Sequence, residues 1–181
     1  MSLRLWLSID EGVELMPYQD EDGIWTVGIG HNLEANGLPF TIVQMIEPAA
    51  TASKCPFPAC LAFLQAQGGL EDVEIESLYQ LDIQDVRSWL EPIFETEGEI
   101  PEWPTWAPPR WAAIQNMAFN LGPTRFAEFT TFIPLCQAKN WTAAANDLRG
   151  SLVFRQLTTR YTRIADTIES GLWPSILSSA P

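Results

Sequence analysis

Basic residues are scarce in this 181-residue chain: ten lysines and arginines stand against 23 aspartates and glutamates, a net charge of −13. That deficit argues against a nucleic-acid binder, which needs an excess of cations along its contact face. Histidine occurs once and cysteine three times, and the histidine lies in a different motif from the cysteines, so a structural zinc site lacks ligands. Cys55 and Cys60 are five apart across two prolines. They could bridge only in an oxidising space, and with Cys136 making the count odd, reduced structural thiols are the expectation. No uninterrupted apolar run approaches about 18 residues, so no membrane span is expected. The N-terminus lacks a basic region followed by an apolar stretch and a cleavage site, which leads us to expect synthesis in the cytoplasm without a signal peptide. Internal repeats and low-complexity tracts are also missing.

What is present is enough for a packed core: 46% hydrophobic residues, including eight tryptophans. The charge is unevenly spread. Residues 1–109 hold three basic against nineteen acidic side chains, a net −16, whereas residues 110–181 hold seven against four, a net +3. Such a split suggests two lobes of different surface chemistry, with most of the acidic groups serving as solvated faces.

Ser2, Leu3, Trp6, Leu7 and Gly12 fit a short capped amphipathic helix with Asp10 and Glu11 in its last turn. Residues 14–20 and 24–30 read as a hairpin turning at Asp22-Gly23, with Trp25, Val27 and Ile29 alternating against Thr26, Gly28 and Gly30. The latter two glycines would admit close approach by another backbone or a ligand. Residues 34–74, broken by prolines and Gly68-Gly69, suggest a short strand and one or two helices. From Val73 to Phe94 the pattern is helical, with Leu78, Leu81, Val86, Trp89 and Ile93 as its stripe and Pro92 as its stop or kink. Residues 95–109 read as an irregular connector. Four helical stripes follow: Ile114 to Leu121, stopped at Gly122-Pro123; Phe126 to Cys136; Trp141 to Leu148; and Tyr161 to Ile168, closed by Gly171.

Three groups on the first three elements could cleave an acetal: Glu11, Asp20 and Thr26. Such a reaction needs one carboxyl to protonate the leaving oxygen and another to handle water. The negative end of the first helix disfavours a second negative charge at Glu11, as a proton donor requires. Taken singly, each has an ordinary explanation. Glu11 could be a solvated surface carboxylate, Asp20 a turn residue and Thr26 a β-former. His31 reads as a structural partner, with Asp82 on the long helix as a reasonable counter-charge.

Their joint spacing is more specific. The string from Ile9 to His31, IDEGVELMPYQDEDGIWTVGIGH, resembles the opening motif of the phage-type lysozymes, glycoside hydrolase family 24. The resemblance implies that Glu11 is the general acid and that Asp20 and Thr26 hold the attacking water. It continues more loosely in YQLDIQDV, which matches Asp82 to the motif histidine His31. AAIQNMAFNLG follows, implying sugar contacts from Phe119 and Asn120, and then TTRYTRIADTIESGLW, where Arg160 matches an arginine near the general acid. The chain departs from the pattern at Asn32, over residues 47–72 and 95–109, and in its acidity.

The expected fold is α+β, mainly α: one lysozyme-like domain over residues 1–181. It would have a β-containing N-lobe (about 12–74), a connecting helix (about 74–94) and a helical C-lobe (about 95–181) with helix 1–11 packing near it. The expected activity is that of an endolysin-type muramidase cutting the β-1,4 bond from N-acetylmuramic acid to N-acetylglucosamine in peptidoglycan. Inversion would require carboxyl groups about 6.5–9.5 Å apart, against about 5–5.5 Å for a retaining route. No cofactor, metal, nucleic acid or membrane insertion is implied, and a monomer is expected. The enzyme would reach the wall through a hole-forming protein or as a virion component. Two alternatives stay open: a catalytically silent wall-binding or virion structural protein on the same scaffold, and a lytic transglycosylase.

Overall fold

A computed structural model of the chain describes residues 1–20, 22–51, 54–95 and 106–178. It is mainly helical with a small antiparallel sheet near the N-terminus, an α+β, lysozyme-like fold. Two compact units divide it: Leu7–Gln84, and Met1–Trp6 together with the residues from Asp85 onward.

Helix α1 (Leu3–Glu11) starts where Ser2 Oγ accepts the Leu5 amide at 3.2 Å, and ends at Gly12, whose φ of +81° suits a residue without Cβ. Strands β1 (Glu14–Gln19), β2 (Trp25–Gly28) and β3 (His31–Asn32) form an antiparallel sheet in that order. In the first pairing Tyr18 lies opposite Thr26 and Gln19 opposite Trp25, with an irregularity nearer Glu14. Asp20 directs the turn between β1 and β2, its Oδ1 accepting the Asp22 and Ile24 amides at 3.0 and 2.9 Å. The expected alternation fails on β2: Thr26, Val27, Gly28 and Ile29 are all buried. β2 is the central strand, and Gly28 packs against Ile75 and Leu78, so both of its faces are covered.

Residues 33–67 hold more structure than the sequence suggested. Short helices α2 (Leu33–Asn36) and α3 (Phe40–Ile46) precede α4 (Ala59–Gln67), and strands β4 (Leu38–Pro39) and β5 (Lys54–Cys55) pair. Elements this short carry too little periodicity to be read from pattern alone. Gly37 lets β4 and β5 meet, since a Cβ there would stand 2.6 Å from the Cys55 carbonyl oxygen. Leu33, Leu38, Ile42, Leu64, Ile75 and Leu78 fill the core of this unit.

Helix α5 (Asp72–Leu90) gives way to a 3-10 turn over Glu91–Phe94, where Pro92 cannot continue the α-helical bonding. Its buried stripe is Ile75, Leu78, Tyr79, Ile83, Val86 and Leu90, rather than the Leu81 and Trp89 series read from sequence. Most of the expected connector, residues 96–105, lies outside the described residues. Its last part is not irregular: α6 (Pro108–Ala127) opens on Pro108-Pro109, where a missing amide hydrogen costs no helical bond.

In the helical unit α6 consists of two helices that meet at Gly122, whose non-helical backbone (φ 67°, ψ 172°) ends the first where the sequence reading placed its stop, and Pro123 begins the second. Phe126 therefore closes α6, and the expected second stripe splits, its remainder forming α7 (Phe132–Gln137). Helices α8 (Trp141–Gly150) and α10 (Thr158–Ser170) match the last two stripes, with a short α9 (Leu152–Gln156) capped by Ser151 between them. Trp106 meets Phe94, Trp111 and Trp141 edge-to-face at 5.3, 6.0 and 5.0 Å between ring centres. Each such pair contributes about 0.5–1.5 kcal/mol beyond the area it buries. Cys55, Cys60 and Cys136 are free thiols.

Candidate active site

Glu11, Asp20, Thr26, His31 and Asp82 all belong to the sheet-containing unit. Glu11 ends α1 and is partly exposed. Its carboxylate leans on Gly30: a Cβ built there would stand 3.1 Å from Oε2. The close approach foreseen at the hairpin glycines is made by this carboxylate. Asp20 spends one oxygen on the turn, which is the local role that sequence alone would assign. Its Oδ2 accepts no hydrogen bond among the described residues. Thr26 is buried and donates its hydroxyl proton to the Ile24 carbonyl at 3.2 Å, which leaves its oxygen an acceptor.

Tyr18, which sequence reasoning passed over, ties these groups together. Burial raises its phenol above the ordinary value, and Glu11, Asp20 and Glu14 push it further the same way. Tyr18 lies opposite Thr26 across the strand pair. The signal was available in the sequence: Tyr18 is two residues before Asp20, a spacing that strand alternation over the expected strand 14–20 puts on one face.

His31 is buried, with Nδ1 2.8 and 2.9 Å from the two Asp82 oxygens and Nε2 2.8 Å from the Gly37 carbonyl. Both partners are acceptors only, so both ring nitrogens donate. Burial works to lower the imidazole's pKa, but the Asp82 hydrogen bond and charge and the Gly37 carbonyl outweigh it, and the net shift is upward. The pair clamps β3 to α5 and, through Gly37, to the start of β4. Asp82 lies on the buried side of α5, one turn from Leu78 and Val86.

The remaining expected site residues lie in the helical unit. Phe119 and Asn120 are partly exposed on α6. Asn120 Oδ1 accepts the Tyr161 hydroxyl at 3.0 Å, and Arg160, buried, donates to Asn116 Oδ1 and to its carbonyl at 2.9 and 3.2 Å. This unit also holds a cavity of about 660 Å³ bordered by Leu121, Arg125, Glu128, Asn146, Asp147 and Val153. Sequence reading did not anticipate it, and none of Glu11, Asp20 and Thr26 lines it. Among the described residues no group of three or more His, Cys, Asp or Glu side chains could hold a metal ion, and no helix is long and apolar enough to cross a membrane.

The chain is 25% identical over 180 residues to probable T4-type lysozyme 1 of Dictyostelium discoideum, covering 94% of this chain and 95% of that protein. Probable T4-type lysozyme 2 of the same organism is 26% identical over 176 residues, with the same coverage. The pre-baseplate central spike protein Gp5 of Enterobacteria phage T4 is 27% identical over 173 residues, and there the chain spans only 28% of the relative's length. The phage lysozyme family model matches residues 8–155, which contain the whole Glu11-to-Asp82 constellation, and the chain belongs to that family.

Proposed function

We propose that this protein is a muramidase that hydrolyses the β-1,4 bond between N-acetylmuramic acid and N-acetylglucosamine in peptidoglycan. Family membership supports a lysozyme-type function in general. The observation that carries the finer reading is that Glu11, Asp20 and Thr26 fall in one compact unit, with the Glu11 carboxylate against Gly30 and Tyr18 opposite Thr26 in register. In this reading Glu11 gives its proton to the leaving oxygen. A water loses a proton to Asp20 as it attacks the anomeric carbon from the other face, with Thr26 orienting it. Two acceptors beside one donor suit an inverting displacement better than a transglycosylase, which would use one acidic residue and leave a 1,6-anhydro end. The same reading gives Phe119 and Asn120 a sugar-binding role and Arg160 a supporting one, and treats the whole chain as one lysozyme-like domain.

Product analysis on purified peptidoglycan tests it. Newly released reducing ends of inverted configuration are the expected outcome. Anhydro products would support the transglycosylase instead, and co-sedimentation without cleavage would support a silent wall-binding protein. The likeness to a spike protein favours a virion-borne enzyme over a freely released one. Recovery of the chain in purified particles would separate the two placements.

A further inference from the structure

Counting donors and acceptors around the proposed nucleophile exposes a gap. Thr26 has committed its only proton to the Ile24 carbonyl, so toward a water it can only accept. Asp20 offers Oδ2, again an acceptor, since Oδ1 already takes two backbone amides. A water between them gives both of its protons away. It is then held at two points and free to swing about the line joining them. To aim one lone pair at an anomeric carbon, its other lone pair needs a donor.

We propose that Tyr18 is that donor: its hydroxyl hydrogen-bonds the attacking water, completing a three-point grip with Asp20 and Thr26. Tyr18 stands directly opposite Thr26 in the β1–β2 register, and residues so paired project from the same face of the sheet. Its ring is half-buried, and its hydroxyl has no hydrogen-bond partner among the described residues. Burial, with the nearby acidic groups acting the same way, raises the phenol above its ordinary value, so it keeps its proton at neutral pH and remains a donor through the cycle. During the reaction the oxygen–carbon bond forms from the lone pair opposite the phenol, and the departing water proton passes to Asp20 Oδ2. The glycosidic bond breaks as Glu11 protonates the leaving oxygen, and Tyr18 ends the cycle as it began.

This role rests on the hydrolase reading above, and the experiment separates the two. Wild type, Tyr18→Phe and Glu11→Gln are compared as full chains by release of reducing ends from purified peptidoglycan. Tyr18→Phe keeps the ring and its packing, so kcat should fall about ten-fold while KM stays within about two-fold and the thermal midpoint holds. Carbon-13 NMR of labelled tyrosine supplies a second readout in the unmutated site. The chain has three tyrosines, and the Tyr18 signal is the one lost in Tyr18→Phe. That phenol should titrate above its ordinary value in wild type and move back toward it in Glu11→Gln. Wild-type kcat in Tyr18→Phe, or a phenol indifferent to Glu11→Gln, overturns the role of Tyr18 and leaves the hydrolase reading intact. A wild-type chain that releases no reducing ends overturns both.

Discussion

The carboxylate of Glu11 rests on the bare Cα of Gly30, with Cγ, Cδ and Oε2 all 3.1–3.2 Å from where a Cβ would stand. Gly30 has a φ of +72°, so it also occupies backbone space that L side chains rarely adopt. The turn after β2 thus does two things with one residue: it reverses the chain into β3 and it makes a floor for the end of α1. A side chain at position 30 would have to move the end of a flexible glutamate, not a backbone atom.

Gly30→Ala should therefore harm activity more than stability. The positive φ costs about 1–2 kcal/mol, and Gly68→Ala provides the comparison, since Gly68 has a φ of +86° with nothing within 4 Å of a new Cβ. Both variants should lose similar stability in urea titrations. Only Gly30→Ala should also lose peptidoglycan cleavage, because the new Cβ pushes the Glu11 carboxyl away from the leaving oxygen. Equal activity in the two variants would remove Gly30 from the positioning of Glu11.

Glu11→Gln keeps shape and hydrogen bonding but cannot donate an acidic proton. Loss of at least about 100-fold is expected, the usual share of general acid catalysis. The fold should be unaffected. Turbidity clearing of chloroform-treated Gram-negative cells, followed beside circular dichroism, measures both. Clearing at the wild-type rate would take Glu11 out of the mechanism.

The His31–Asp82 pair makes stability depend on pH in a defined direction. The imidazole's folded-state pKa is raised above its ordinary value of 6.5, so folding favours the protonated form. The stabilisation is fully present below 6.5 and is lost as pH rises through the raised folded-state value. Asp82→Asn should cost about 3 kcal/mol at pH 5, where it strands a buried cation. The gap should narrow as pH rises through the raised folded-state value and the histidine becomes neutral in both proteins. Urea titrations below and above that value, with NMR titration of this single histidine, would reveal the dependence. A gap that does not vary with pH would mean that the pair is not charged in the folded protein.

Thiol reactivity should follow burial. Cys136 is fully buried, and burial, with Asp147 adding to it, pushes its thiol up to about 12. Cys60 is also buried and raised, whereas Cys55 is partly exposed. In native buffer a small aromatic disulfide reagent should modify Cys55 first and Cys136 only on unfolding. Prompt labelling of Cys136 would show that the core around α7 and α8 opens readily.

Much of the candidate site was legible because it is local. Glu11, Asp20 and Thr26 lie within 16 residues, on a helix, a turn and a strand whose stops are written in Ser2, Gly12 and Asp22-Gly23. Capping and turn chemistry act over a few residues, so spacing alone carried the reading there. The same logic worked for α8 and α10, where one stripe and one glycine stop describe each helix. It failed for residues 33–67, whose strands are two residues long and pair with each other. Gly122-Pro123 does end a helix, as the sequence reading expected, and a second helix begins directly after it.

By itself, then, the order of residues determined the helical and hairpin framework, the acidic-to-basic charge split and the spacing of Glu11, Asp20 and Thr26. Folding in three dimensions decided which side of each element is buried: Ile75, Leu78 and Val86 define the inner side of α5, and this brings Asp82 to a histidine 51 positions earlier. Folding also decided that Glu11 lies over Gly30 and that Tyr18 shares the field of two carboxylates. The reason is one of range. Periodicity and capping are settled by neighbours along the chain, whereas desolvation, charge coupling and close approach depend on partners that only packing brings within a few ångströms.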